Sequence, residues 1–329
     1  MSASSSRSAP LEHLGPGWFV LVMGWSGLAM AWFRAEPLIG PNAPLIAQAA
    51  AALAGLIFLS LLVAMGLRLS RHGAAVQADL RHPIKHAFVA ALPISVLLLG
   101  TLVAVALDPQ GEVGPVLWWL GALGELAATV WVLARWLRAK EQGGLQWAAV
   151  TPVLFIPVVG NVIVPLAGIP LGFGGWAAAQ FAVGLFLWPA LLVLLVARLV
   201  MAGPLPGRMT GTLFIMAAPP SVIGLCFLQW ELPPGAAWGA WGIALFSILW
   251  ALTQLEVLRQ QPFGIPHWGM SFPLAAFATL SLRLSQTTGG EWLRLPATAM
   301  LAVASVVIVG LTLSTWRGLR QGRLLVPDA

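Results

Sequence analysis

The chain has 329 residues, of which 59% are hydrophobic and only 9% charged, and its mean hydropathy is strongly positive. No water-soluble globular composition matches these values, so the bilayer is its main solvent and little is left for a soluble domain. The net charge of +6 would point a soluble protein towards nucleic acid. Here the basic residues sit in short loops between apolar segments, where membrane topology accounts for them, and no nucleic-acid partner is expected.

The opening residues imitate a signal peptide, with Arg7, an apolar run from Trp18 and the small-residue pattern Ala29-Met30-Ala31. Cleavage there would leave nine helices and discard Gly24 and Gly27, so the run is read as the first transmembrane helix, over 17–34. A span needs roughly 20 apolar residues. By that measure further helices are predicted at 44–68, 84–107, 115–138, 151–169, 173–200, 209–230, 236–258, 268–286 and 293–317. The expected fold class is an all-α integral membrane protein. Residues 1–16 and 319–329 read as cytoplasmic tails around a ten-helix channel domain over 17–318.

Of the 17 basic residues, all but Arg34, Arg283 and Arg294 fall on one side of this arrangement, while Glu36, Asp108, Glu112, Glu231 and Glu291 fall on the other. The basic side is cytoplasmic by the positive-inside rule, which puts both termini inside and the protein in the plasma membrane, the inner membrane of a bacterium. The odd helices carry Pro93, Pro157, the pair Pro219 and Pro220, and Pro273 part-way along, and Gly24 and Gly27 in the first. The even helices two, four and eight have no interior proline, and only Pro189 in the sixth breaks the contrast. A proline removes a backbone bond and bends a helix, and in a membrane the freed groups must meet protein or a water-filled cavity. The odd helices are therefore expected to be inner and bent, and the even ones to face lipid. Since every pair leaves and returns on one side, the pattern is five hairpins around a central pore. The competing reading is that Gly and Pro are simply frequent in membrane helices.

Ionisable residues within spans are the first functional candidates. Lys85 and His86 near the inner start of the third helix, and Arg283 and Arg34 near the outer ends of the ninth and first, either attract anions at a pore mouth or are ordinary topology charges. Asn161 in the fifth helix either lines the pore or bonds between helices. Glu125, on the predicted peripheral fourth helix, reads as an interhelical or subunit contact, with a proton role as the alternative. Glu256 reads as interfacial and Cys226, the single cysteine, as packing. His82 and His86 are four apart, a spacing that can place two ligands on one helical face, but Pro83 marks a helix start instead and no third ligand is near, so no metal is expected. No nucleophile, phosphate-binding or zinc-protease motif is present, and no set of polar residues marks a common depth. Neither a catalytic residue nor a cofactor is expected. Phe272, directly before Pro273, places a bulky ring beside a bend and is the candidate gate.

Several stretches carry a family resemblance. Gln261-Pro262-Phe263 through His267-Trp268-Gly269-Met270-Ser271-Phe272-Pro273 resembles the ninth helix of the tellurite-resistance protein A and slow-type anion channel family, also called the tellurite-resistance/dicarboxylate transporter family. In the same order, Gly17-Trp18-Phe19 with Gly24 resembles its first helix and Leu80-Arg81-His82-Pro83 with Pro93 its third. Thr151-Pro152 with Pro157 and Asn161 resembles its fifth, and Ala218-Pro219-Pro220-Ser221 its seventh. The resemblance implies five hairpins, a pore within each subunit of a homotrimer, and occlusion of that pore by Phe272. It implies transport of chloride, nitrate, sulfite, or malate and related dicarboxylates. Trp25 and Trp32 depart from it, since they make the first helix bulkier than a pore wall should be. The expected function is an anion channel for small chloride- or nitrate-like anions. The alternative is a proton-coupled C4-dicarboxylate or sulfite carrier, and a membrane-embedded enzyme is the rival of another class.

Overall fold

The computed structural model describes residues 10–287 and 289–327. Arg7, most of the N-terminal tail and the last two residues lie outside the described residues, as does the side chain of Lys140. Among the described residues the chain is helical, with no strand. Eight helices are long and apolar enough to cross a membrane: α1 (Pro16–Ile39), α2 (Ala43–Arg71), α3 (Lys85–Leu107), α4 (Val113–Leu137), α6 (Gly174–Ala202), α7 (Gly207–Gln229), α8 (Pro234–Leu252) and α10 (Glu291–Arg320). Two shorter segments complete the series, α5 (Pro152–Gly168) and α9 (265–284). Most boundaries lie within a few residues of those predicted. The helix expected at 236–258 is the exception: it stops at Leu252, and a separate turn, Leu255–Arg259, takes up its end.

Burial divides the helices as the proline pattern predicts. The most apolar windows of α1 and α7 are 78% buried, whereas those of α2, α6 and α10 are 17%, 22% and 28% buried. Every residue from Pro152 to Pro165 is buried, and so is nearly all of Ser271–Leu284. Consecutive helices pair as α1–α2, α3–α4, α5–α6, α7–α8 and α9–α10. The odd helices also touch one another in sequence, α1 to α3, α3 to α5, α5 to α7 and α7 to α9, and α9 returns to α1. Five inner helices thus close a ring, with the even helices packed around them.

All five inner helices begin as 3-10 helix and continue as α-helix. The changes fall between Phe19 and Val20, Ala90 and Ala91, Phe155 and Ile156, Ala217 and Ala218, and Met270 and Ser271. Proline explains the position in all but the first. An α-helical N–H bonds four residues back and a 3-10 N–H three residues back, so a residue with no N–H marks a seam between the two at little cost. Pro93, Pro157, Pro219, Pro220 and Pro273 all lie within the first three residues of their α-helical parts. The sequence places them part-way along their helices, and the structure gives that position as a change of winding. Gly24 and Gly27 lie instead in the unbroken α-helical stretch Val20–Ile39, where their role is close packing.

Helices α3 and α4 approach backbone to backbone. A Cβ on Gly121 would lie 2.5 Å from the Leu97 nitrogen, and one on Gly100 2.7 Å from the Trp118 nitrogen. On the face where the inner helices begin, Arg68 is buried. It donates to the Glu12 carbonyl at 3.1 and 2.9 Å and to Asp79 at 2.6 Å, while Asp79 also meets Lys85 at 3.2 Å. This clasp ties the N-terminal segment, α2 and the short helix Gly73–Arg81 to the start of α3.

Candidate functional site

A small cavity lies where α1, α5, α7 and α9 of the inner ring meet. It is lined by Val20 and Met23, Ile156 and Val159, Ile215 and Ala218, and, on α9, Trp268, Gly269, Ser271, Phe272 and Pro273. These residues lie in the earlier halves of their helices, which places the cavity towards the face where the inner helices begin. Its volume is about 20 Å³, room for about one water. No charged side chain lines it. A bare ion that entered would lose hydration without a partner to replace it.

Phe272 is 6% exposed, and its ring lies over Gly27: a Cβ there would come within 3.0 Å of ring carbon Cδ2 and 3.2 Å of the Ala275 methyl. Gly24, one turn earlier, seats Ser271 and the Trp268 indole in the same way, at 2.6 Å from Ser271 Oγ and 3.2 Å from the indole. The two glycines let α9 lie directly on α1. Trp25 and Trp32 do not narrow the cavity. Their indole N–H groups donate to Thr312 and Ser305 on α10, both at 3.1 Å, so these side chains turn outwards from the ring.

The other candidates occupy different places. Lys85 belongs to the clasp with Asp79. His86 is buried, with Nδ1 on the His82 carbonyl at 3.0 Å and its ring edge-on to Trp131. The His82 ring accepts from the N–H groups of Ile84 and Lys85, both at 3.1 Å, and so caps the start of α3. Among the described residues there is no group of three potential metal ligands. At the opposite end of the ring, Arg34 and Arg283 stand close enough for their charges to repel, and Gln286 donates to the Arg34 carbonyl at 3.3 Å.

Asn161 does not line the cavity. Its amide donates to Thr129 Oγ1 and to the Pro157 carbonyl, both at 2.7 Å, and Gln180 of α6 donates to its oxygen at 3.1 Å. Beside this network Glu125 is fully buried, its carboxyl filling the space over Gly160 where a Cβ would lie 2.3 Å from the carboxyl carbon. It therefore makes an interhelical contact within the chain, and a residue without exposure cannot touch another subunit. The fold thus assembles a buried polar cluster between α4, α5 and α6 that the sequence does not display. Its members lie far apart in the chain, and Gln180 is a lone amide in an apolar helix.

A ring of buried helices surrounded by long apolar ones defines a multi-pass membrane protein. The chain belongs to the voltage-dependent anion channel family (SLAC1), whose model matches residues 13–316. An uncharacterized transporter of Methanocaldococcus jannaschii is 25% identical to it over 320 residues, covering 85% of this chain and 86% of that protein. The tellurite resistance protein TehA homolog of Haemophilus influenzae is 24% identical, covering 80% of this chain and 79% of that protein. The S-type anion channel SLAH2 of Arabidopsis thaliana is 24% identical, with 71% of this chain and 45% of that protein covered.

Proposed function

We propose that this protein is a passive anion channel, with ten spans arranged as five hairpins, a pore along the axis of the inner helices and Phe272 as its gate. The carrying observation is the ring of Phe272 beside an uncharged cavity where four inner helices meet. Basic residues concentrate anions at the cytoplasmic mouth, and Arg34 with Arg283 does so at the outer one. The reading includes a plasma membrane location, both termini in the cytoplasm, and a homotrimer with one pore per subunit. Chloride and nitrate are the anions it names.

Reconstitution in planar bilayers tests it. Under a chloride gradient the reversal potential is expected to follow the chloride equilibrium potential, and an imposed proton gradient is expected to leave it unmoved. A saturable flux driven by the proton gradient, without unitary currents, would instead establish the second reading, a proton-coupled C4-dicarboxylate or sulfite carrier. Glu125, a carboxyl buried against an inner helix, is the observation that favours that reading, and Glu125→Gln would then abolish the proton dependence.

The outer mouth gives a separate expectation. Replacing both Arg34 and Arg283 by Gln should lower chloride conductance roughly ten-fold at ~0.01 M salt and little at ~1 M, because the screening length falls from about 30 to about 3 Å. Equal loss at both salt concentrations would refute the electrostatic role, and no loss at either would remove these residues from the conduction path.

A further inference from the structure

Helix α10 is an outer helix, yet it reaches the constriction. Thr315, buried on its inner side, accepts the indole N–H of Trp268 at 2.9 Å, and Trp268 is itself buried and lines the cavity next to Phe272. The Thr315 hydroxyl donates its own proton to the Leu311 carbonyl at 2.8 Å, which leaves its lone pairs aimed away from α10. Thr312 is arranged alike, donating to Ile308 at 2.8 Å and accepting from Trp25. The indole accepted by Thr312 lies outside the cavity, and the one accepted by Thr315 forms part of its wall.

Trp268 sits at a mechanically sensitive place. It belongs to the 3-10 turn Ile265–Met270, two residues before the seam at which α9 becomes α-helical, and its carbonyl accepts from Ser271 Oγ at 2.7 Å across that seam. The indole meets α1 at Gly24 and its N–H meets α10. Phe272 is the second residue of the α-helical part. Fixing the indole therefore fixes the start from which the Phe272 ring projects.

We propose that Thr315 is a positioning residue for the Phe272 constriction, holding the ring in its closed place through the Trp268 indole. The inference rests on the reading of Phe272 as a gate. It gives an outer helix control of the passage, so that a displacement of α10 is transmitted to the gate through one hydrogen bond.

The test is chloride conductance of the full chain in planar bilayers. Thr315→Val keeps the side-chain shape and removes the acceptor, and it is expected to raise the open fraction about five-fold, the ratio set by one hydrogen bond of ordinary net strength. Thr315→Ser should retain wild-type behaviour, and Thr312→Val should leave conductance unchanged. In a Phe272→Ala background, Thr315→Val should add nothing. If Phe272→Ala raises conductance while Thr315→Val does not, the latch is overturned and the gate stands. An equal rise from Thr312→Val, or a further rise in the Phe272→Ala background, overturns the route through Trp268 and Phe272. If Phe272→Ala changes nothing, the gate and the latch both fall.

Discussion

Phe272→Ala is expected to raise chloride conductance by about one to two orders of magnitude. Moving a well-packed Phe ring out of an apolar site costs about 1.5–3 kcal/mol, which corresponds to roughly 10- to 100-fold in the ratio of closed to open arrangements. The ring contacts α1 at Gly27, beside a cavity whose volume of about 20 Å³ admits no hydrated ion. Truncation to a methyl removes both the obstruction and the packing that holds it. Phe272→Leu keeps much of the apolar bulk and should fall between Ala and wild type. The measurement is macroscopic and unitary current at matched protein density. Currents that do not rise in Phe272→Ala place the constriction elsewhere.

Gly160→Ala is expected to destabilise the protein by about 1–3 kcal/mol, the usual cost of forcing extra volume into a packed interior. Its Cβ would fall 2.3 Å from the Glu125 carboxyl carbon, and Glu125 is fully buried with little space to withdraw into. The loss should be recovered in part by shortening the neighbour. Gly160→Ala combined with Glu125→Ala is predicted to be more stable than the sum of the single effects, with a coupling of about 1 kcal/mol or more. Gly121→Ala is the contrast. Its Cβ would meet the backbone nitrogen of Leu97 at 2.5 Å, so relief requires α3 and α4 to part, and truncating Leu97 would not rescue it. Thermal unfolding of the purified variants in detergent reads each of these effects, and additivity of Gly160 with Glu125 would refute the packing argument.

What was legible in the sequence was set by the bilayer. Apolar length located the helices, and the concentration of proline in alternate ones identified the inner set, because a residue without an N–H can be accommodated only where protein covers the backbone. Phe272 stood out for its place beside Pro273, and the structure puts it at the cavity wall. Direction around each helix was not legible. Trp25 and Trp32 looked like obstructions because the sequence does not reveal that Thr312 and Ser305 draw them towards α10. Asn161 looked equally suited to the pore and to helix contacts. Its partners Thr129 and Gln180 lie 32 and 19 residues away, on helices whose rotation is fixed only by packing. The seams were hidden for another reason: proline reports a missing donor, and the sequence does not say whether a bend or a change of winding will absorb it.

That change of winding makes each inner helix a screw joint. A 3-10 helix turns about 120° per residue and rises about 2.0 Å, and an α-helix turns about 100° and rises about 1.5 Å. Each residue that crosses a seam from the first form to the second therefore rotates everything beyond it by roughly 20° and draws it back by roughly 0.5 Å. In α9 the seam lies between Met270 and Ser271, with Phe272 immediately beyond it. A migration of the seam by two or three residues would sweep that ring through about 40–60° while the rest of the helix stays hydrogen-bonded. In the channel proposed above, five such screws would let an aperture widen by rotation with a small axial shift, without any helix leaving its neighbours.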